Sequence, residues 1–352
     1  MSIKIGGTDI SRVYKGTTLI NKIYAGDKLV FSRYENAIDN YASIIDSLGS
    51  NGQDAIDLYN TIPNDVRSNA KVILMPFTVA VGVVYAMDNI TGDLVPFSFS
   101  RASSATLFDK DKNMELVGNN IPRIDYGNYT GDVKLLVEKE STNLFRDSNL
   151  ALNNNKTSGF DTLIDFDWHG CLLSTKASEL RIDTGTSFYY KNYAIKADTP
   201  YSVSLFASLN AQEKPVIGSA YSVNTDGYLN LDNGGLSISS LFSGKNVYRF
   251  GRHRTSGASM SWSGIVKGTN TLNRKLSVSG YQLEEQENAT SYIPTTTTTA
   301  TRAADQLTYT LLQNSSVYLK TNKRETTLSK NIGLWNIHDD LNNEGIQILA
   351  II

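Results

Sequence analysis

The sequence predicts a mainly β protein, in which an N-terminal β-meander and a short helical segment precede an antiparallel jelly-roll β-sandwich. Three observations carry this. Glycine recurs every ten residues near the start, one stretch has helical periodicity, and from position 71 onward short apolar alternations are separated by Gly, Asn, Asp and Ser turns. The 352 residues divide into a leader at 1–34, a helical segment at 35–70 and a β connector or oligomerisation region at 71–142. The sandwich follows at 143–295 and a C-terminal β segment at 296–352.

In the leader, Gly6, Gly16 and Gly26 are followed at matching offsets by Ile10, Ile20 and Val30, then by Tyr14, Tyr24 and Tyr34. Glycine supplies a tight turn, and the alternation through Ile10–Tyr14 fits strands that bury one face. Three strands of this size are marginal alone. The leader is therefore either packed on the main domain or a docking element, with Ile10, Val13, Tyr14, Ile20, Ile23 and Tyr24 as the docking residues.

From position 35 the period changes. Ala37, Ile38, Tyr41, Ile44, Ile45 and Leu48 fall on one helical stripe, and Gly49 sits where a helix would stop. A second, shorter helix is expected over 54–61, closed by Pro63. Both helices fit either intrachain packing or the seam of a coiled-coil-like trimer. The apolar stretch 71–87 is interrupted by Pro76 and Gly82 and is rich in β-branched residues, which predicts buried strands rather than a membrane span. Residues 88–93 and 109–113 are expected turns. Strands are expected at 201–209, 216–223, 247–253, 260–266 and 275–283, and the threonine run 295–299 reads as an extended connector.

Composition narrows the function. With 33 basic and 35 acidic residues, no footprint for nucleic acid or an anionic membrane is visible, and neither partner is expected. Cys171 is the single cysteine, so no intrachain disulfide can form. The first residues lack the basic and apolar regions of a secretory signal, and synthesis in a cytoplasm is expected.

Four blocks resemble a recurring architecture of tailed-bacteriophage appendage proteins, particularly those of Bacteroidetes and crAss-like phages. The first is the leader, GTDISRVYKGTTLINKIYAGDKLVF. The second holds an S-R-x-S-x-A-T segment (Ser100 to Thr106) followed by N-x-P-R-x-D-Y (Asn120 to Tyr126). The third is E-x-x-x-T-N-L, with Glu138, Thr142, Asn143 and Leu144. The fourth, GYQLEEQENATSYIPT followed by TRAAD, is similar to the closing strand of a carbohydrate-binding-module-like jelly roll. Together the third and fourth blocks, at 135–145 and 281–305, bracket the β-rich insert. Family members often continue into a large lectin-like sandwich, whereas 47 residues follow Asp305 here, and Met114 stands where the family turn commonly has glycine.

The resemblance implies a virion structural protein, a head or tail fibre or appendage subunit anchored by its N-terminal region, made in the host bacterial cytoplasm. Implied partners are further copies of itself in a homotrimer, other virion proteins (capsid, portal or tail) and host surface glycan. The alternative function is a receptor-binding module for bacterial glycans, with Trp168, Tyr189, Tyr190, Tyr193 and Trp262 as aromatic platforms for sugar rings. A polysaccharide-degrading enzyme ranks below both.

Candidate chemistry is sparse. Asp109, Asp111, Asn113 and Glu115 alternate like calcium ligands, but Met114 and Asn120 occupy the places where an EF-hand loop needs Gly and Glu, and a solvated turn is the better account. Asp165, Asp167 and His169 would share a face if they lay on one strand, yet their spacing matches no established ligand pattern. His253 and His338 are flanked by charged residues and need only surface roles. No G-x-S-x-G elbow, phosphate loop or dinucleotide fingerprint is present, so neither catalysis nor a cofactor or metal is expected.

Overall fold

The computed structural model describes residues 37–127, 132–149, 160–181, 188–191, 196, 198–208, 228–230, 237–241, 247–255, 263–266 and 275–352, together with strand segments between 3 and 32. Among the described residues the chain is mainly β, with three α-helices and a large antiparallel sheet. It forms two compact units. The first comprises Met1–Ser98, Thr308–Trp335 and Ile346–Ile352, and the second comprises Phe99–Leu307 and Asn336–Gly345. Residues 296–352, expected as one segment, are thus divided between the two.

The leader departs from a three-stranded meander. Six short strands pair as three separate hairpins, Ile3–Ile5 with Thr8–Ile10, Val13–Lys15 with Thr18–Ile20, and Lys22–Ala25 with Lys28–Ser32. The facing pairs Ile5 and Thr8, Lys15 and Thr18, and Ala25 and Lys28 each leave two residues between them: Gly-Gly, Gly-Thr and Gly-Asp.

Three helices follow. Helix α1 (Ala37–Ser47) buries Ile38, Tyr41 and Ile45, leaves Ile44 half-buried and exposes Leu48 beyond its last turn. Gly49, at φ +82°, ends it: its N–H bonds the Asp46 carbonyl at 3.1 Å and the Ser50 N–H bonds the Ile45 carbonyl at 3.1 Å. This pair of bonds satisfies carbonyls that the helix end would otherwise leave open. Helix α2 (Gly52–Asn60) is capped by Asn51, whose side chain accepts from the Gln53 N–H. Helix α3 (Asn64–Asn69) begins directly after Pro63 and was not expected, because proline ends one helix but is equally suited to lead into the next.

The apolar stretch after the helices forms strands Val72–Leu74, Val79–Ala80 and Val83–Asp88. No helix among the described residues is long and apolar enough to cross a membrane. In the sheet of the first unit, strands run in the order Glu325–Lys330, Ser315–Thr321, Glu344–Ile351, Val72–Leu74, Val83–Asp88 and Leu94–Ser100, each antiparallel to the next. The expected turn at 88–93 joins the last two, with the Asp88 carboxylate accepting the N–H groups of Ile90 and Thr91. Gln306–Leu311 lies beside Leu94–Ser100, and Phe97 stacks on Tyr309 at 4.3 Å between ring centroids.

In the second unit an antiparallel sheet of six strands has the order Phe160–Asp165, Lys176–Arg181, Lys275–Glu284, Pro200–Ser208, Val247–Thr255 and Ser237–Leu241. A separate three-stranded sheet places Ser263–Val266 between Phe188–Lys191 and Tyr228–Asn230. Its pairing with Tyr228–Asn230 is parallel, a departure from the uniformly antiparallel expectation. The expected strand at 216–223 lies outside the described residues. Phe108, Met114, Trp168, Leu172, Phe206, Val247 and Tyr292 share one buried core, so residues of the 99–127 block and of the inserted sheet are packed as a single body within this unit.

Candidate functional site

The charged residues of the motif blocks meet in the interior of the second unit. Arg101, Arg123 and Arg302 surround Glu138 and Asp305, and their side chains are between 0% and 6% exposed. They come from four pieces of sequence. Arg101 follows strand Leu94–Ser100 and Arg123 opens strand Arg123–Asp125. Glu138 follows the fully buried strand Lys134–Val137, and Arg302 and Asp305 belong to TRAAD at and just after strand Ala300–Arg302.

Arg123 is the centre. Its Nη2 donates to Glu138 Oε2 at 2.7 Å and to Asp305 Oδ2 at 2.6 Å. Its Nη1 donates to the Thr106 carbonyl at 3.0 Å and to Ser291 Oγ at 2.6 Å. Arg101 holds the other Asp305 oxygen at 3.0 Å and donates to the Ser103 and Gly118 carbonyls. Arg302 donates to the carbonyls of Ala303 and Lys139 and stands 3.6 Å from Glu138 and 3.8 Å from Asp305. Backbone joins in: Asp305 Oδ2 accepts the Glu138 N–H, the Asp305 N–H bonds the Glu138 carbonyl, and Glu138 Oε1 accepts the Ser291 N–H.

Three arginines and two carboxylates are in contact here, the buried Glu284 also acts on Arg302, and the ionisation behaviour follows. Burial alone would push the Glu138 carboxyl up, but Arg302 and Arg123 outweigh it and hold the group well below the usual carboxylate range. Burial likewise opposes the Arg123 charge, yet Asp305 and Glu138 raise its affinity for the proton. Arg101 and Arg302 go the other way, lowered chiefly by burial. The Nε atoms of Arg123 and Arg302 have no hydrogen-bond partner among the described residues. A cluster of this kind contributes little net stability relative to an apolar core, because desolvation offsets most of the attraction, while removing one member leaves a buried charge uncompensated.

Neutral groups of the same blocks extend the network. Asn143 makes four hydrogen bonds with no exposure: its amide donates to the Tyr281 and Ile293 carbonyls, and its oxygen accepts the Phe145 and Leu283 N–H groups. Glu284, also without exposure, accepts from Ser141 Oγ, the Thr290 N–H and hydroxyl, and Gln286. Thr106 Oγ1 donates to the Tyr292 carbonyl at 2.6 Å. The bracket closes on itself, since strand Ser141–Asn143 pairs antiparallel with Ala300–Arg302. The two blocks that flank the insert in sequence are thereby sewn together in space.

The other candidate residues are distributed differently. Trp168 is 2% exposed, packs against Phe166 at 4.7 Å between ring centroids and donates its indole N–H to the Lys176 carbonyl. Its rings, expected as an aromatic platform, are packed in the buried core with Phe206 and Tyr292. Tyr189 and Tyr190 pair with Ile265 and Gly264 in the three-stranded sheet. Tyr193 and Trp262 lie outside the described residues. In the leader, Ile10 pairs with Ile3, Val13 with Ile20, Tyr14 with Leu19, Ile23 with Phe31 and Tyr24 with Leu29.

The Asp109 carboxylate accepts the backbone and side-chain N–H groups of Asn113, so it closes a turn. Asp165 ends its strand and pairs with Lys176, while Asp167 pairs with His169, itself at φ +52°. Asp165, Asp167 and His169 therefore do not line one strand face. Among the described residues no three His, Cys, Asp or Glu side chains are grouped to hold a metal ion.

Every member of the ionic cluster lies in one of the motif blocks, but no pairing among them is written in the sequence. The signal available was local: Arg123 beside Ile124 in a short strand, and Glu138 directly after Leu135-Leu136-Val137, place charges where the pattern demands burial. No family model and no curated protein matches this chain.

Proposed function

We propose that this chain is a structural, non-enzymatic subunit of a tailed-phage virion, a head or tail fibre or appendage. Residues 1–34 mount it, and the inserted β unit is displayed as a jelly-roll-type sandwich. Its partners are further copies of the chain, in a homotrimer, and a capsid, portal or tail protein. It is made in the host bacterial cytoplasm and resides in the particle.

One observation carries this reading. The charged residues of the motif blocks that resemble phage appendage proteins pair with one another in a buried clasp around a β insert, so they hold a module in place and face no substrate. A scaffold that presents an insert needs such a fastening. The glycan-binding alternative draws less support, because Trp168 is enclosed.

Gold-labelled antibody against the chain, applied to purified particles of the phage that encodes it, should decorate the head or tail at regular positions. Particles that lack the chain altogether overturn the virion reading. Deletion of residues 1–34 should abolish incorporation, and normal copy number in the truncated form would overturn the mounting role.

A further inference from the structure

The first unit's sheet ends in two strands that follow each other in the chain. Glu325–Lys330 pairs with Ser315–Thr321 alone, and Gly333–Asn336 closes the strand order beyond Gln306–Leu311, so among the described residues no strand lies outside either. Glu325, Thr327 and Ser329 are exposed, and the apolar Ile332 and Leu334 that follow are 64% and 74% exposed. Edge strands are usually blunted by proline, a bulge or a central charge. Thr326, Thr327, Leu328 and Ser329 carry no charge, the strand has no proline, and its pairing with Ser315–Thr321 runs without a register shift.

The hairpin fixes which backbone groups meet that edge. The Thr321 N–H bonds the Arg324 carbonyl at 2.8 Å and closes a two-residue loop. Bonded and non-bonded pairs alternate along an antiparallel ladder, so Thr326, Leu328 and Lys330 turn their N–H and C=O groups inward to Leu319, Val317 and Ser315, while Glu325, Thr327 and Ser329 turn theirs outward. Consistently, Ser316, which lies opposite Ser329, sends its carbonyl to the Ile352 N–H on its other side, at 2.8 Å.

We infer that this edge is an interface between two copies of the chain, in which Glu325–Lys330 pairs antiparallel with itself about a twofold axis at Leu328. Outward-facing residues must oppose outward-facing residues, so such an axis passes through a residue and not between two. At Leu328 it sets Thr327 opposite the partner's Ser329 and Ser329 opposite the partner's Thr327, as hydrogen-bonded pairs, and the two leucines meet on the axis. Hydroxyl and apolar pairs of this kind stabilise a sheet, whereas an axis at Thr327 would set Arg324 directly against the partner's Lys330. This match of the strand with its own reverse selects a second copy over a foreign strand. A twofold contact can also join two threefold assemblies, so the inference goes beyond the virion reading and does not rest on it.

Sedimentation equilibrium of the full chain at tens of micromolar should show species with an even number of chains. Leu328→Cys should form an interchain disulfide on mild oxidation, because the opposed residues of a non-hydrogen-bonded pair lie about 4.5 Å apart at Cα. The native Cys171 is buried. Thr327→Pro removes an outward N–H, which a folded edge strand tolerates, and should raise the dissociation constant about tenfold or more, as the loss of one hydrogen bond per copy implies. If circular dichroism shows that this variant has lost its sheet, Thr327→Lys, which keeps the backbone and charges the edge, is held to the same expectation. A wild type that is monomeric or purely trimeric overturns the inference, and capping of the edge by a strand of another protein would appear as that result. An even assembly that the Thr327 variants leave unchanged overturns it too, as does a Leu328→Cys chain that stays uncrosslinked.

Discussion

Arg123 and Asp305, 182 residues apart in sequence, meet at 2.6 Å with neither side chain reaching solvent. One guanidinium nitrogen thereby joins the second block to the end of the fourth, and the same nitrogen reaches Glu138 of the third. Arginine suits this place because its planar fork offers several donors at once.

Replacing Arg123 should be among the most damaging single changes in the second unit. Arg123→Met leaves Glu138 with Arg302 at 3.6 Å and strips Asp305 of its closest cation. The expected loss is about 3–5 kcal/mol, the range for breaking a buried ion pair by removing one partner. Arg123→Lys should recover little of it, since one ammonium cannot span the four acceptors. Urea unfolding followed by tryptophan fluorescence measures both, and a loss below about 1 kcal/mol would show that the cluster relaxes into other pairings.

Acid should loosen the same region. The folded Glu138 carboxyl is held below its ordinary value of 4.5, so its contribution to stability is full above that value and is lost as pH falls below it. Stability measured from pH 6 downward should therefore decline for the wild type, with part of the slope attributable to this group. Glu138→Gln should start from a lower plateau and show a shallower decline. Parallel curves for the two proteins would remove Glu138 as a source of the acid sensitivity.

Trp168→Ala separates a packing role from a binding role. The indole is enclosed with Phe166, Phe206 and Tyr292, and truncation at such a site costs about 3–5 kcal/mol. A lowered unfolding midpoint is expected. A variant as stable as the wild type that has lost binding on a glycan array would instead place this side chain in a binding face.

Local features were legible in the sequence and long-range ones were not. The stripe of Ile38, Tyr41 and Ile45 with Gly49 behind it specifies α1 and its termination, because the helix period and the left-handed residue are both written within a dozen positions. The Asp88 turn is equally local. Helix α3 has no comparable signature, because six residues carry too little periodicity. The residues of the clasp were all visible as motifs, but a sequence displays an arginine without its acceptor, and Arg101 finds Asp305 across 204 positions. The burial of Trp168 likewise depends on Phe108 and Met114 from a distant block.

The place of strand Glu344–Ile351, fully buried between Ser315–Thr321 and Val72–Leu74, has a consequence for biogenesis. During translation, Val72–Leu74 leaves the ribosome long before the strand that covers its edge has been made. Most of the intervening region, including Phe99–Leu307 with its ionic centre, can mature while that edge waits. Exposed β edges invite pairing with other nascent chains. Ribosomes that stall before position 344 should accordingly release chains prone to aggregate through the unfinished first unit, even where the inserted unit has already folded.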